Sequence, residues 1–136
     1  MKIEQTFEVR ADADAVFAAL NDLERVVPCL PGARITGREG DTFRGELHVG
    51  FMRLNGTVAI THSDPAARVL HLHTGHHGAI VSVAERDGVA DVTAAADLAE
   101  IGGIALFGGL VQDLSGRLLR DFGNCLSHKL EAEAAA

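Results

Sequence analysis

The groups in this chain that could do chemistry are its histidines, its two cysteines and a scatter of carboxylates. Six of the seven histidines, His48, His62, His71, His73, His76 and His77, fall within one stretch of thirty residues. His71 and His73 alternate on one side of a strand-like run, a spacing that two metal ligands can use, and His76 or His77 could add a third from the next turn. No third ligand stands at a defined position, and the pair falls on the side that patterning assigns to water. Polar surface histidines and no metal site are therefore expected. His128 follows Cys125 by one helical step, which can bring a thiol and a base together. Cys125, however, belongs to an apolar stripe and His128 is turned away from its centre. Cys29 and Cys125 both sit among apolar neighbours without metal-type spacing, so free buried thiols are expected rather than a disulfide. Asp91 and Asp97 alternate with Ala90, Val92, Ala94, Ala96 and Leu98, the pattern of strand-surface carboxylates. No positioned acid–base pair and no catalytic residue emerge. Gly102-Gly103 lacks the spaced glycines and Lys of a phosphate loop and reads as a hinge or helix start.

The elements that would carry these groups are clearer. From Gly102 to Leu130, Phe107, Val111, Leu114, Leu118, Phe122 and Cys125 recur at helical steps of three and four, predicting a long amphipathic helix with a core face. Gly102, Gly109, Gly116 and Gly123 recur every seven residues, and the period stacks them on the side opposite that stripe. Each costs a helix about 0.5–1 kcal/mol relative to alanine, so the glycines mark either a fraying first half or a face that another backbone approaches closely.

At the other end, KIEQTFEVR alternates Ile3, Phe7 and Val9 with charged residues, the period of a half-buried strand. Asp12 and Asp22 can each cap a short helix, ADAVFAAL and LERVV, and Leu30-Pro31-Gly32 suits a type II turn. Between Ala33 and Ala99, turns are predicted at Arg38 to Asp41, Leu54-Asn55-Gly56, Ser63-Asp64-Pro65, Gly75 to Gly78 and Arg86 to Gly88. They separate five or six antiparallel strands. Phe43, Leu47, Val49 and Phe51 fall on one face of a strand whose other face carries Arg44, Glu46 and His48, and Leu70 and Leu72 oppose His71 and His73. The expected fold is α+β: a curved antiparallel sheet of six to seven strands around a long C-terminal helix, with two short helices after the first strand, in one domain spanning 1–136.

Composition limits the partners. Twelve Lys and Arg against nineteen Asp and Glu give a formal charge of −7, and with no basic run, nucleic acid is not expected as a partner. No signal-like apolar segment or membrane span is apparent, so a soluble, cytoplasmic chain without direct membrane anchoring is expected. Trp and Tyr are absent, which leaves any pocket to be lined by Phe and aliphatic side chains.

The opening KIEQTFEVRADADAVFAALNDLERVVPCLPGA, the stretch VGFMRLNGTV from Val49 to Val58, and Ile101-Gly102-Gly103 before the last helix resemble the carbon monoxide dehydrogenase G-subunit family of the START-like, helix-grip superfamily. The resemblance covers nearly the whole chain and implies a hydrophobic cavity between the long helix and the sheet. It also implies an accessory role to a molybdenum hydroxylase, recruitment to the inner face of the respiratory membrane through that partner, and a quinone or other lipophilic ligand. On this reading Phe43, Leu47, Phe51, Val58, Ile60, Leu70 and Leu72 face Phe107, Val111 and Leu114 across the cavity. The alternative is that they close on one another as plain core. A wall of Phe and aliphatic groups suits binding and release without a cofactor, and Gly102 to Gly109 and Gly75 to Gly78 are the candidate gates. Two rival readings stay open, a polyketide cyclase or hydrolase on the same fold, and an assembly module with a solid interior and a glycine face for a partner; a homodimer is compatible with either.

Overall fold

In a computed structural model of the chain, the structure describes residues 2–30, 32–49, 51–74, 77–97 and 108–135. The first strand β1 (Lys2–Val9) leads into α1 (Ala13–Leu20), α2 (Leu23–Val26) and a 3-10 turn (Val27–Cys29). Six strands follow: β2 (Ala33–Glu39), β3 (Thr42–Val49), β4 (Met52–Asp64), β5 (Val69–Thr74), β6 (His77–Arg86) and β7 (Val89–Asp97). The last element is the helix α3 (Gly108–Ala135). All neighbouring strands pair antiparallel in the order β1-β7-β6-β5-β4-β3-β2, so the sheet is a meander with β1 returned to its far side. The α+β architecture expected from the sequence is present, with seven strands, two short helices after the first and the long helix last.

Local chemistry accounts for most of the boundaries. Asp22 accepts a hydrogen bond from the backbone N–H of Arg25 and caps α2, whereas Asp12 stands at the N-cap of α1 without a side-chain bond. Leu30 accepts from the N–H of Ala33, and Gly32 has φ +80°, the backbone a type II turn needs at that glycine. Asp87 and Gly88 both have positive φ, as the two-residue turn joining β6 to β7 requires. The expected turn at Leu54-Asn55-Gly56 is not there. Asn55 and Gly56 pair with Glu46 and Gly45 in the middle of β4, and the hairpin closes where Val49 meets Met52. Closing there allows full-length pairing that sets Leu47 against Leu54 and Phe43 against Val58. Irregularities interrupt β2 between Ile35 and Gly37 and β4 between Ile60 and His62.

The core is built where α1, α3 and the β1–β7–β6–β5 half of the sheet meet. Val9, Val16, Leu70, Val92 and Leu126 are fully buried there, with Phe122 and Leu130 beside them. The Phe7 and Phe122 rings meet edge to face at 5.7 Å. Gly123 corrects the expected placement of the glycines, because it is buried against β1 and not on an outer face. A Cβ at this position would lie 2.7 Å from the Glu8 carbonyl oxygen and 2.9 Å from Phe7 Cδ2. One turn on, the Ser127 hydroxyl accepts from the N–H of Arg10 at 2.9 Å and donates to the Gly123 carbonyl at 2.7 Å. The buried surface of α3 is therefore two adjacent ridges, one apolar through Phe122, Leu126 and Leu130 and one small through Gly123 and Ser127. Gly102 and Phe107 lie outside the described residues.

The cysteines also depart from expectation. Cys29 and Cys125 form a disulfide, with Cα atoms 5.4 Å apart, that ties the 3-10 turn to α3 across 96 residues of sequence. Their spacing in the chain carried no sign of this, because only the packing of α3 beside the 3-10 turn brings them together. Lys129 donates to the Arg25 carbonyl at 2.8 Å and Arg25 pairs with Glu133, so the end of α3 is held by α2 as well.

Gly123→Ala is expected to lower stability by about 1–3 kcal/mol, since a methyl group must displace the β1 backbone. Gly56→Ala, with open space around it, should leave the free energy of unfolding in urea within about 0.5 kcal/mol of the parent. The paired substitution Cys29→Ser and Cys125→Ser should cost about 2–5 kcal/mol by releasing the long loop, and dithiothreitol should lower the unfolding midpoint of the parent but not of that variant.

Candidate functional site

Pairing and alternation place the candidate lining on one face of the sheet. Directly opposed residues share a face: Phe43 with Val58, Ile60 with Leu72, and Leu70 with Val81, and Leu47 shares that of Phe43 by alternation along β3. On this face Val81, Val92 and Val9 join Phe122, Leu126 and Leu130 of α3 in one core cluster. Within it the environment changes. Leu70 is 1% exposed and belongs to the core cluster, which Ile60 and Leu72 join from its margin. Phe43, Leu47 and Val58 lie farther along the sheet and are half-buried. Arg38 holds its guanidinium 5.0 Å from the centre of the Phe43 ring, a cation–π contact at the end of the row.

Phe51 does not belong to this wall. It sits in the tight β3–β4 turn and is 100% exposed; assigning the turn to Asn55-Gly56 had extended β3 through it. Phe107 lies outside the described residues, and Val111 and Leu114 fall on the part of α3 whose side chains are not described.

The histidines are spread over the sheet. His62 and His71 oppose each other on β4 and β5 with their rings edge to face at 5.3 Å, His73 is exposed, and His76 lies outside the described residues. Among the described residues no three His, Cys, Asp or Glu side chains are grouped to hold a metal ion. Cys125 has no thiol to offer His128, since its sulfur is bonded to Cys29. Asp91 on β7 is bound by Arg86, which also reaches Glu8. The Arg86 guanidinium holds the Asp91 carboxyl below the usual carboxylate range.

A buried carboxylate was not anticipated. Glu46 on β3 is 7% exposed and accepts from Arg34 of β2 at 2.8 Å, from Arg53 of β4 at 2.8 Å and from His48 at 3.2 Å. These side chains occupy the face opposite Phe43 and Leu47, and the arginines cover the carboxylate with their own partly exposed chains. The hydrogen bond from Arg34, then that from His48, lowers the Glu46 pKa against the opposing effect of burial. One signal is legible: Glu46 is the only acidic residue between Asp41 and Asp64, although Arg44 on the same strand turns to Glu39 instead.

A separate cleft of about 320 Å³ opens along the free edge of β1, lined by Gln5 to Glu8 and Arg10 on the strand and by Arg120 and Asn124 on α3. From the sequence Phe7 is expected on the core face of β1, and none of these residues has a role in a site.

A curled seven-stranded antiparallel sheet closed around a C-terminal helix, with short helices between its first two strands, defines a helix-grip protein. The same architecture is found in TTHA0849 from Thermus thermophilus, at a TM-score of 0.73 and 15% identity over 98% of this chain and 99% of that one. It is found also in the Zhui aromatase/cyclase from Streptomyces sp. R1128, at 0.66 and 18% identity over 92% and 93%. The di-domain aromatase/cyclase BexL of the BE-7585A biosynthetic pathway matches at 0.66 and 20% identity, over 96% of this chain and 46% of that one. At these identities the likeness concerns the fold. The family model of the carbon monoxide dehydrogenase G subunit (CoxG) matches residues 6–131, and the chain belongs to that family. No curated protein matches the chain in sequence. Among the described residues no helix is long and apolar enough to cross a membrane.

The lowered Glu46 pKa fixes the sign of an acid effect. Its share of stability is fully present above the unfolded-state pKa of about 4.3 and is lost as pH falls through the lower folded value. Glu46→Gln should therefore flatten the decline of the urea midpoint below about pH 4.5, while lowering stability at neutral pH by leaving Arg34 and Arg53 without their carboxylate.

Proposed function

We propose that this protein binds a small hydrophobic molecule, a quinone or lipid, between α3 and the concave face of its sheet, and carries it without catalysing a reaction. The observation that carries the reading is the change of burial along one apolar face. Leu70, Val81 and Val83 are sealed in the core that α1 and α3 close over the sheet, whereas Phe43, Leu47, Val58 and Leu72 are left half-buried on the same curved surface. Apolar groups in this state gain from a ligand that removes them from water, roughly 25 cal/mol per Å² of surface covered. Arg38 meets the Phe43 end of this row, and a guanidinium, which stays protonated, suits holding a ligand better than transferring a proton to it.

Family membership supports the second half of the proposal, that the carrier serves a molybdenum hydroxylase of the carbon monoxide dehydrogenase type and meets the membrane through that partner. The aromatase/cyclase likenesses support a fold that accommodates small molecules and do not extend to a reaction here.

The absence of Trp and Tyr makes the test direct, since only weak Phe and disulfide bands obscure the near ultraviolet. Protein purified without a metal column, to avoid adventitious histidine binding, is expected to show a ligand chromophore or, if isolated empty, to take up decyl-ubiquinone. In either case native mass spectrometry should show an adduct that organic extraction removes. Apo mass both as isolated and after exposure to decyl-ubiquinone and oleate would overturn the carrier reading.

A further inference from the structure

The β1–α3 cleft has the chemistry of an anion site. Arg10 and Arg120 enter it from opposite sides, one from the end of the edge strand and one from the helix, with the Asn124 amide between them. Arg10 is loosely held, 3.5 Å from the Asn124 carbonyl oxygen and 3.6 Å from Glu131. Arg120 is exposed and, among the described residues, has no ion pair; the same is true of Arg117 one turn earlier. In a chain of net charge −7, two guanidiniums at one cleft, Arg10 held only at 3.6 Å by Glu131 and Arg120 without an ion pair among the described residues, concentrate positive charge there. The acid within the cleft, Glu8, is already bound by Arg86 at 3.2 Å, which leaves the arginines on the α3 side to other partners.

The strand contributes its backbone. The N–H of Arg10 and the carbonyl of Glu8 are turned toward Ser127 and Gly123 of α3. By the alternation of a strand, Thr6 presents its backbone polar groups from the same edge, toward the cleft. Planar guanidiniums, an amide and edge N–H groups suit the oxygens of a carboxylate or phosphate. Phe7 also lines the cleft, and its ring is packed against Phe122 in the core. The cleft is thus polar at its rim and reaches an aromatic pair at its floor.

We propose that this cleft binds the anionic head, carboxylate or phosphate, of an amphiphilic ligand, with Arg10 and Arg120 as the head-binding residues and the alkyl part lying against the half-buried Phe7 ring at the cleft floor. That the ligand carries an alkyl part rests on the reading above that the protein takes up a lipophilic molecule; the head site does not.

Dodecanoate, dodecyl phosphate and dodecanol, each below its micellar concentration, separate the two by titration calorimetry of the full, oxidised chain. Both anions should bind at least about tenfold more tightly than the alcohol, equivalent to about 1.4 kcal/mol. Arg10→Gln with Arg120→Gln should bring them to the affinity of dodecanol while leaving dodecanol itself unchanged. Equal binding of alcohol and anions, or anion binding indifferent to the two substitutions, overturns the head site and leaves the carrier reading standing. If none of the three binds, the Asn124 side-chain amide resonance decides. A saturable shift with inorganic phosphate or acetate, abolished in the double variant, supports a site for free anions and removes the carrier reading. No shift overturns both.

Discussion

The structure depends on how closely α3 can approach the backbone of β1. Strand and helix meet over Gly123, where there is no room for a Cβ between the helix and the Glu8 carbonyl. The same approach lets Ser127 satisfy the Arg10 N–H, puts the Phe122 ring on Phe7 and brings Cys125 to Cys29. The contacts are mutually dependent. A buried N–H that lost Ser127 would cost about 1–3 kcal/mol, and the disulfide can form only if the helix is already seated at its proper height. The direction of α3 over the sheet is fixed by this seam, and so is how far the core extends along the concave face.

The concave face beyond that core is where the functional reading lies. A helix anchored along one margin of a curved sheet cannot contact the whole concave face equally. The apolar side chains nearest the seam become core, while Phe43, Leu47 and Val58 at the far side are only half covered by the described residues. The opposite face solves a different problem. There, β2, β3 and β4 are held in register by a carboxylate shared among Arg34, Arg53 and His48, ionic hydrogen bonding that stiffens the far sheet where core packing is thin. The two faces of the same strands thus differ in kind, one apolar and half covered, the other held by charge.

Much of this was legible in the sequence because it follows from local patterns. The alternation in β1, the Asp22 cap, the Gly32 and Asp87-Gly88 turns and the helical stripe of Phe122 each express a short-range rule, and their order yields the fold. The family resemblance rested on stretches of the same kind. What the sequence hid was set by tertiary contact. Asn55-Gly56 has the composition of a turn, yet pairing over the full length of β3 and β4 overrode it and carried Phe51 out to a hairpin tip. Gly123 read as one of a series on an outer face, but its role is decided by a strand more than a hundred residues away. The disulfide and the arginine-rimmed cleft join the beginning of the chain to its end, and neither leaves a mark in the spacing of neighbours.

The irregularity in β2 has a consequence for how molecules of this protein meet one another. An open sheet has two margins, and each is a template on which a further strand could add. Along β1, Glu8 and Arg10 turn their backbone groups to α3. At the other margin the register of β2 slips between Ile35 and Gly37, with Arg34 and Arg38 on either side. A slipped margin breaks the even ladder of donors and acceptors that strand addition requires, and the guanidiniums add charge to it. Polymerisation through the sheet is thereby resisted at both ends, and neither margin offers a straight edge to another chain.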